Sequence, residues 1–92
     1  MANERLFRIT LPDQWSEAMV SDLVMSAADA GFEVASSWFE GASIVYDFRR
    51  AGPGARDGRL AQALRGWRAR WPQASSMNPL FTVIPASSPS QG

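Results

Sequence analysis

The sequence of 92 residues contains no cysteine and no histidine, and all nine of its cations are arginine, so lysine is absent as well. Without cysteine the chain can form neither a disulfide nor a thiolate metal site. Without histidine and lysine it lacks the side chains of Ser-His-Asp and Cys-His nucleophile systems, of Schiff-base catalysis and of histidine metal centres. These absences predict a protein that is not an enzyme and that holds no cofactor and no metal.

Long apolar runs are also missing. No stretch approaches the ~20 apolar residues of a membrane-spanning helix, and the N-terminal segment MANER is charged rather than signal-like. We therefore expect a cytoplasmic protein without membrane contact. The length suits one domain, which we place at residues 1–85. The polar segment 86–92 (ASSPSQG) is predicted to be a disordered tail.

Charge is distributed unevenly although the formal net charge is zero. Eight of the nine carboxylates lie at or before Asp47, whereas seven of the nine arginines lie at or after Arg49. Such a split suits binding to another molecule. It also suits pairing between an acidic and a basic helix within the fold, which stabilises exposed pairs by ~0 to 1 kcal/mol each. The sequence leaves both explanations open.

The first half of the chain shows a strand, a helix and a hairpin. Arg5–Leu11 alternates apolar and polar residues as a half-buried strand does. A helix is predicted from Asp13, as its N-cap, to Ala30, with Gly31 in the left-handed conformation that ends helices. Its apolar stripe is Val20, Leu23, Val24 and Ala27.

The hairpin is predicted from strands Phe32–Trp38 and Ala42–Arg49, and its loop can be argued from parity. A two-residue turn would set the apolar side of one strand against the polar side of the other. A three-residue loop, Phe39–Gly41, restores the match: it pairs Val34 with Tyr46 and puts Trp38 on the helix-facing side, leaving Phe39 exposed.

After a connector at 51–55, a second helix is predicted from Asp57, as its cap, to Trp71, followed by an edge strand at 78–85. Its apolar stripe is Leu60, Leu64, Trp67 and Trp71. The order strand, helix, strand, strand, helix, strand is the split βαβ arrangement called ferredoxin-like, of class α+β. It implies an antiparallel sheet in the order 4-1-3-2, with both helices on one face and the other face open.

Two groups of residues are candidates for binding. The open face is predicted to present Leu6, Arg8, Thr10, Val45, Asp47, Arg49 and Thr82, with Ile84 as a further candidate. The second helix presents Arg56, Arg59, Arg65, Arg68 and Arg70. A face that mixes short apolar side chains with charge is typical of surfaces that meet a second copy or a partner protein.

The sequence therefore predicts a regulatory or inhibitor-like interaction domain that binds a partner protein or itself. An alternative is nucleic-acid binding through the arginine-rich helix. RNA-recognition modules share the architecture but stack bases on rings of the open face, and the predicted register leaves no ring there. A weaker alternative is a small-ligand-binding protein or cofactor-free enzyme with a cavity between sheet and helices. The partner, the oligomeric state and the host stay undetermined.

Overall fold

A computed structural model describes residues 5–77 and 79–85 of the chain. The elements in chain order are β1 (Arg5–Leu11), α1 (Glu17–Asp29), β2 (Phe32–Glu40), β3 (Ser43–Arg50), α2 (Asp57–Arg70), a short 3-10 helix (Pro72–Ala74) and β4 (Thr82–Pro85). The predicted tail at 86–92 lies outside the described residues.

The four strands form one antiparallel sheet in the order β2-β3-β1-β4. Counted from the other edge, the order is β4-β1-β3-β2. The expected α+β class, with a four-stranded antiparallel sheet and two helices, is confirmed. The two central strands, β1 and β3, contribute side chains to both faces of the sheet.

The core lies between one face of the sheet and the two helices. Phe7, Ile9 and Leu11 on β1 are fully buried, as their alternation predicts. They belong to one cluster with Met19, Leu23 and Ala27 of α1, Leu60, Leu64 and Trp67 of α2, and Ile44 and Phe48 of β3. Each large apolar side chain buried in this way stabilises the fold by about 1.5–3 kcal/mol. Because both helices share this cluster, they cover the same face.

The helix α1 begins later than predicted. Ser16, not Asp13, is its N-cap: the Ser16 hydroxyl accepts a hydrogen bond from the backbone N–H of Met19 at 3.2 Å. Asp13 instead lies in a turn closed by the bond from the Trp15 N–H to the Pro12 carbonyl. At the other end, Gly31 has φ +93°, so the predicted left-handed position is confirmed.

The predicted three-residue loop of the hairpin is wrong. Glu40 pairs with Ser43, so the turn contains only Gly41, with φ +63°, and Ala42. With a two-residue turn, the apolar side of β2 would lie opposite the polar side of β3. A shift of register within β2, between Val34 and Ser36, corrects this mismatch. Ala35 is the extra residue of this β-bulge. As a result Trp38 pairs with Val45 and lies on the face away from the helices, which contradicts its predicted place.

The second helix and the last strand are close to prediction. Leu60, Leu64 and Trp67 are fully buried, whereas Trp71 is only partly buried. Asp57 is the first helical residue rather than the cap, which is Arg56 without a side-chain bond. The strand β4 occupies an edge but is shorter than predicted, because the ladder with β1 begins only at Thr82. Position 78, where the predicted strand began, lies outside the described residues.

Candidate interaction surface on the open sheet face

The face of the sheet away from the helices is organised in rows that run across the strands. The strand pairings align Ser36, Asp47, Arg8 and Thr82 in a central row. They align Trp38, Val45 and Thr10 in the next row on one side, and Glu33, Arg49, Leu6 and Ile84 in the next row on the other. All the residues predicted for the open face therefore lie on it, and we call this set of three rows the open face.

An ion pair lies at the centre of the open face. Arg8 Nε donates to Asp47 Oδ1 at 2.8 Å and Arg8 Nη2 donates to Asp47 Oδ2 at 3.0 Å, so the pair is bidentate. The Asp47 side chain is 3% exposed and that of Arg8 is 36% exposed. Hydrogen bonding to Asp47 raises the pKa of the Arg8 guanidinium above its ordinary value. The Nη1 amino group lies outside this pair of bonds and can meet an additional acceptor.

Trp38 is the functional candidate that sequence reasoning missed. Its ring lies against the guanidinium of Arg8, with the Arg8 Cζ 4.9 Å from the ring centroid. Its Nε1–H donates to Glu40 Oε2 at 2.9 Å, and the side chain is only partly buried. The parity argument already required one extra residue in the hairpin. Placing that residue in β2 would have put Trp38 on the open face.

Next to this aromatic and arginine pair, the face is uncharged on its β4 side. A depression of about 170 Å³ is lined by Arg8, Thr10, Pro79, Leu80, Phe81 and Thr82. On the β2 side of the face, Arg49 Nε donates to Glu33 Oε2 at 2.7 Å, and both side chains are about half exposed. Val45 is 1% exposed, so the middle of the face is well packed.

The arginines of α2 do not form one free patch. Arg70 makes a bidentate pair with Asp22 of α1 at 2.9 and 3.0 Å and also donates to the Ser26 hydroxyl. This bonding, with a further hydrogen bond from the Trp71 indole, lowers the pKa of Asp22. Arg68 donates to the carbonyl of Met77 at 2.7 Å.

The other three arginines of the predicted set are exposed and take part in no ion pair within the described residues. These are Arg56, Arg59 and Arg65. The predicted set is thus divided: two of its members hold the helix to its neighbours and three are accessible to a partner.

The described residues also show how the core and the possible metal ligands are arranged. Residues 5–77 and 79–85 include no group of three or more histidine, cysteine or carboxylate side chains that could hold a metal ion. The space between sheet and helices is filled by side chains with no exposure, among them Phe7, Phe48 and Trp67, whose Nε1–H donates to the Met19 carbonyl at 3.0 Å. Neither helix of the described chain is long and apolar enough to cross a membrane.

Comparisons of the chain with models of protein families, with curated proteins and with solved structures found no match. The function is therefore argued from the geometry of the open face and its flank.

Proposed function

We propose that this protein is a small, non-enzymatic interaction domain of ferredoxin-like topology that binds protein, either a partner or a second copy, through the open face. A regulatory or inhibitory role is part of this proposal, because an interaction domain acts on other molecules by occupying a surface. The exposed arginines of α2 form a flank that adds charge to such a contact.

The observation that carries the proposal is the arrangement of three side chains at the centre of the open face. The ring of Trp38 lies against the guanidinium of Arg8, which is hydrogen-bonded to Asp47. Tryptophan and arginine are enriched among the residues that contribute most to protein-protein binding. Here both are partly exposed and already held in place, the arginine by two hydrogen bonds and the ring by the arginine. Side chains fixed in this way lose little rotamer entropy when a partner covers them.

The alternative of nucleic-acid binding has weaker support. Trp38 does provide a ring on the open face, contrary to the sequence expectation, but it lies on the edge strand β2 beside the carboxylates of Glu40 and Asp47. The exposed Glu40 carboxylate opposes an approaching phosphate backbone, whereas that of Asp47 is buried and paired with Arg8. On α2, Arg68 and Arg70 are engaged in contacts within the fold, which leaves fewer guanidinium groups for phosphate.

The enzyme alternative needs a cavity with acid-base groups between sheet and helices. The packed side chains of Trp67 and Phe48 occupy that space. This alternative therefore receives no support from the interior of the described chain.

Photo-cross-linking in the native host tests the proposal. A benzophenone amino acid is placed either at Thr10, exposed on the open face, or at Gln62, exposed on α2. We expect protein adducts from position 10 and few from position 62. Adducts from Gln62 alone would contradict binding through the open face, and nucleic-acid adducts from either position would favour the alternative.

A further inference from the structure

A second depression lies beside the C-terminal half of α2, away from the open face. Its volume is about 450 Å³, within the range of roughly 300–1,000 Å³ that is typical of small-molecule sites. The described residues that line it are Arg65, Arg68 and Ala69 of α2 and Ser75 and Met77 of the segment that follows. We call this depression the α2 pocket. These lining residues include two cations and a hydroxyl group but no carboxylate.

The two walls of the α2 pocket are joined by hydrogen bonds. The segment after α2 is anchored by Ala74, which is fully buried and whose carbonyl accepts a bond from the Met77 N–H at 3.0 Å. Arg68 Nη1 donates to the Met77 carbonyl at 2.7 Å, which ties a side chain of one wall to the backbone of the other. One guanidinium is therefore already held at the pocket, and a ligand that binds it has little ordering to offset.

Several donors of the α2 pocket are not used by contacts of the fold. Arg68 has five N–H groups and gives one of them to Met77. Arg65 is exposed and takes part in no hydrogen bond or ion pair of its side chain within residues 5–77 and 79–85. The Ser75 hydroxyl is also exposed and has no hydrogen bond to this part of the chain. These groups can all donate to a ligand.

The electrostatics of the α2 pocket favour an anion. Arg65 and Arg68 lie three positions apart on α2, so their side chains are neighbours, and like charges at this spacing repel each other. Neither forms an ion pair with a described carboxylate. An anion between the two guanidinium groups removes this repulsion. The C-terminal end of α2 carries a partial negative charge that offsets part of the attraction, so the binding is expected to be weak.

The donors favour a phosphoryl group among anions. Guanidinium groups bind phosphate oxygens through paired N–H groups, and the Ser75 hydroxyl offers a further donor to the same ligand. Ala69 and Met77 add an apolar wall that suits an uncharged part of the ligand. We propose that the α2 pocket binds the phosphoryl group of a small phosphate monoester. This site is separate from the open face, and the inference goes beyond the proposed function.

Titration with phenyl phosphate at constant ionic strength, followed by ¹H–¹⁵N NMR, tests the site. We expect saturable shifts of the Nε–H signals of Arg65 and Arg68 and of the Ser75 amide, with a dissociation constant of about 1 mM. Arg65→Gln removes a guanidinium without a contact in the described fold. It should raise the dissociation constant about fivefold or more and leave the Tm unchanged. Ser75→Ala should raise the constant about threefold.

The matched control is Arg59→Gln, which removes the same charge from the same helix. Arg59 is also exposed and without a described ion pair, but it lines a different depression together with Asp29. Six positions along a helix span about 9 Å, which is close to the Debye length of about 10 Å at 0.1 M salt. The loss of Arg59 should therefore change the dissociation constant less than about twofold. Circular dichroism checks that all variants are folded.

Benzoate tests the choice of anion, because it has the same ring but carries a single charge. It should bind at least about threefold more weakly than phenyl phosphate, whose charge at pH 7 is about −1.5 to −2.

Three outcomes overturn the proposal. The first is the absence of saturable shifts up to about 20 mM phenyl phosphate. The second is equal weakening by Arg59→Gln and Arg65→Gln, which would mean that the charge of the whole helix attracts the anion. The third is benzoate binding as tight as that of phenyl phosphate. None of these outcomes affects the adducts expected from Thr10, so the proposed function is tested separately.

Discussion

The ion pair of Arg8 and Asp47 should be the most sensitive charged contact on the sheet. Asp47→Asn keeps the shape of a side chain that is 3% exposed but leaves the guanidinium without its counter-ion. Exposed pairs contribute ~0 to 1 kcal/mol, and breaking a fully buried pair costs about 3–5 kcal/mol. One partner here is buried and the other is 36% exposed. We therefore expect a loss of ~2 kcal/mol in the free energy of unfolding, intermediate between those limits.

The assay is urea unfolding followed by circular dichroism, extended to a double-mutant cycle. A loss of this size lowers the Tm of a domain of under 100 residues by roughly 8–16 °C. Arg8→Met should be similarly destabilising, since it leaves Asp47 buried without a partner. The double variant should recover ~1 to 2 kcal/mol relative to the sum of the single losses. The stacking on Trp38 is absent in both arginine-free variants, so it cancels in the cycle. Losses that add to within ~0.5 kcal/mol would refute the coupling.

Two further predictions concern a helix end and the contact between helices. Gly31→Ala should cost at least ~2 kcal/mol, because it forces an L residue to positive φ and places a Cβ 3.1 Å from the Ala55 Cα. Gly58→Ala in α2 meets nothing within 4 Å and should stabilise by ~0.5 to 1 kcal/mol, a contrast measured by denaturant midpoints. Hydrogen bonding to Arg70 lowers the pKa of Asp22 in the folded protein. The Asp22 carboxylate therefore contributes fully to the free energy of unfolding above the usual carboxyl pKa of about 3.9. This contribution is lost as the pH falls below that value and through the lower pKa of the folded state. Asp22→Asn should flatten the fall in stability as the pH drops below about 4, and an unchanged acid limb would contradict this.

The parts of the fold that sequence predicts well are those set by local periodicity. The alternation of β1 identifies Phe7, Ile9 and Leu11 as buried, and the helical spacing of Leu60, Leu64 and Trp67 does the same for α2. Each pattern depends on one element alone. The buried residues of such an element can therefore be predicted from its own sequence, without knowledge of the neighbouring elements.

The start of α1 depended on contacts that local pattern does not contain. Asp13 and Ser16 are both good N-cap residues, and either could begin the helix. The Trp15 indole donates to the carbonyl of Ala42 at 3.0 Å, which fixes this segment against the hairpin turn. The helix thus begins at Ser16, next to a residue that is bonded to another 27 positions along the chain. The local sequence pattern does not contain this contact.

The position of Trp38 is the part of the candidate site that sequence did not reveal. Parity shows that the hairpin contains one residue too many, but it does not show where that residue lies. Gly41 at positive φ suits a two-residue turn, and Ala35 takes up the excess as a bulge. The consequence is large for the proposed interaction surface, because one displaced residue moves a tryptophan from the core side to the open side of the sheet.

The uneven charge along the chain is explained in part by folding. Of the four ion pairs within the described residues, those of Arg70 with Asp22 and of Arg49 with Glu33 join the acidic first half to the basic second half. They bring α2 to α1 and β3 to β2. The Arg8–Asp47 pair at the centre of the open face, by contrast, has both its members in the first half of the chain. The centre of the open face is therefore nearly neutral, although the two halves of the sequence carry opposite net charges. A nearly neutral face with an ordered internal ion pair offers little electrostatic attraction to a strongly charged ligand, which is the physical reason to test protein partners before nucleic acid.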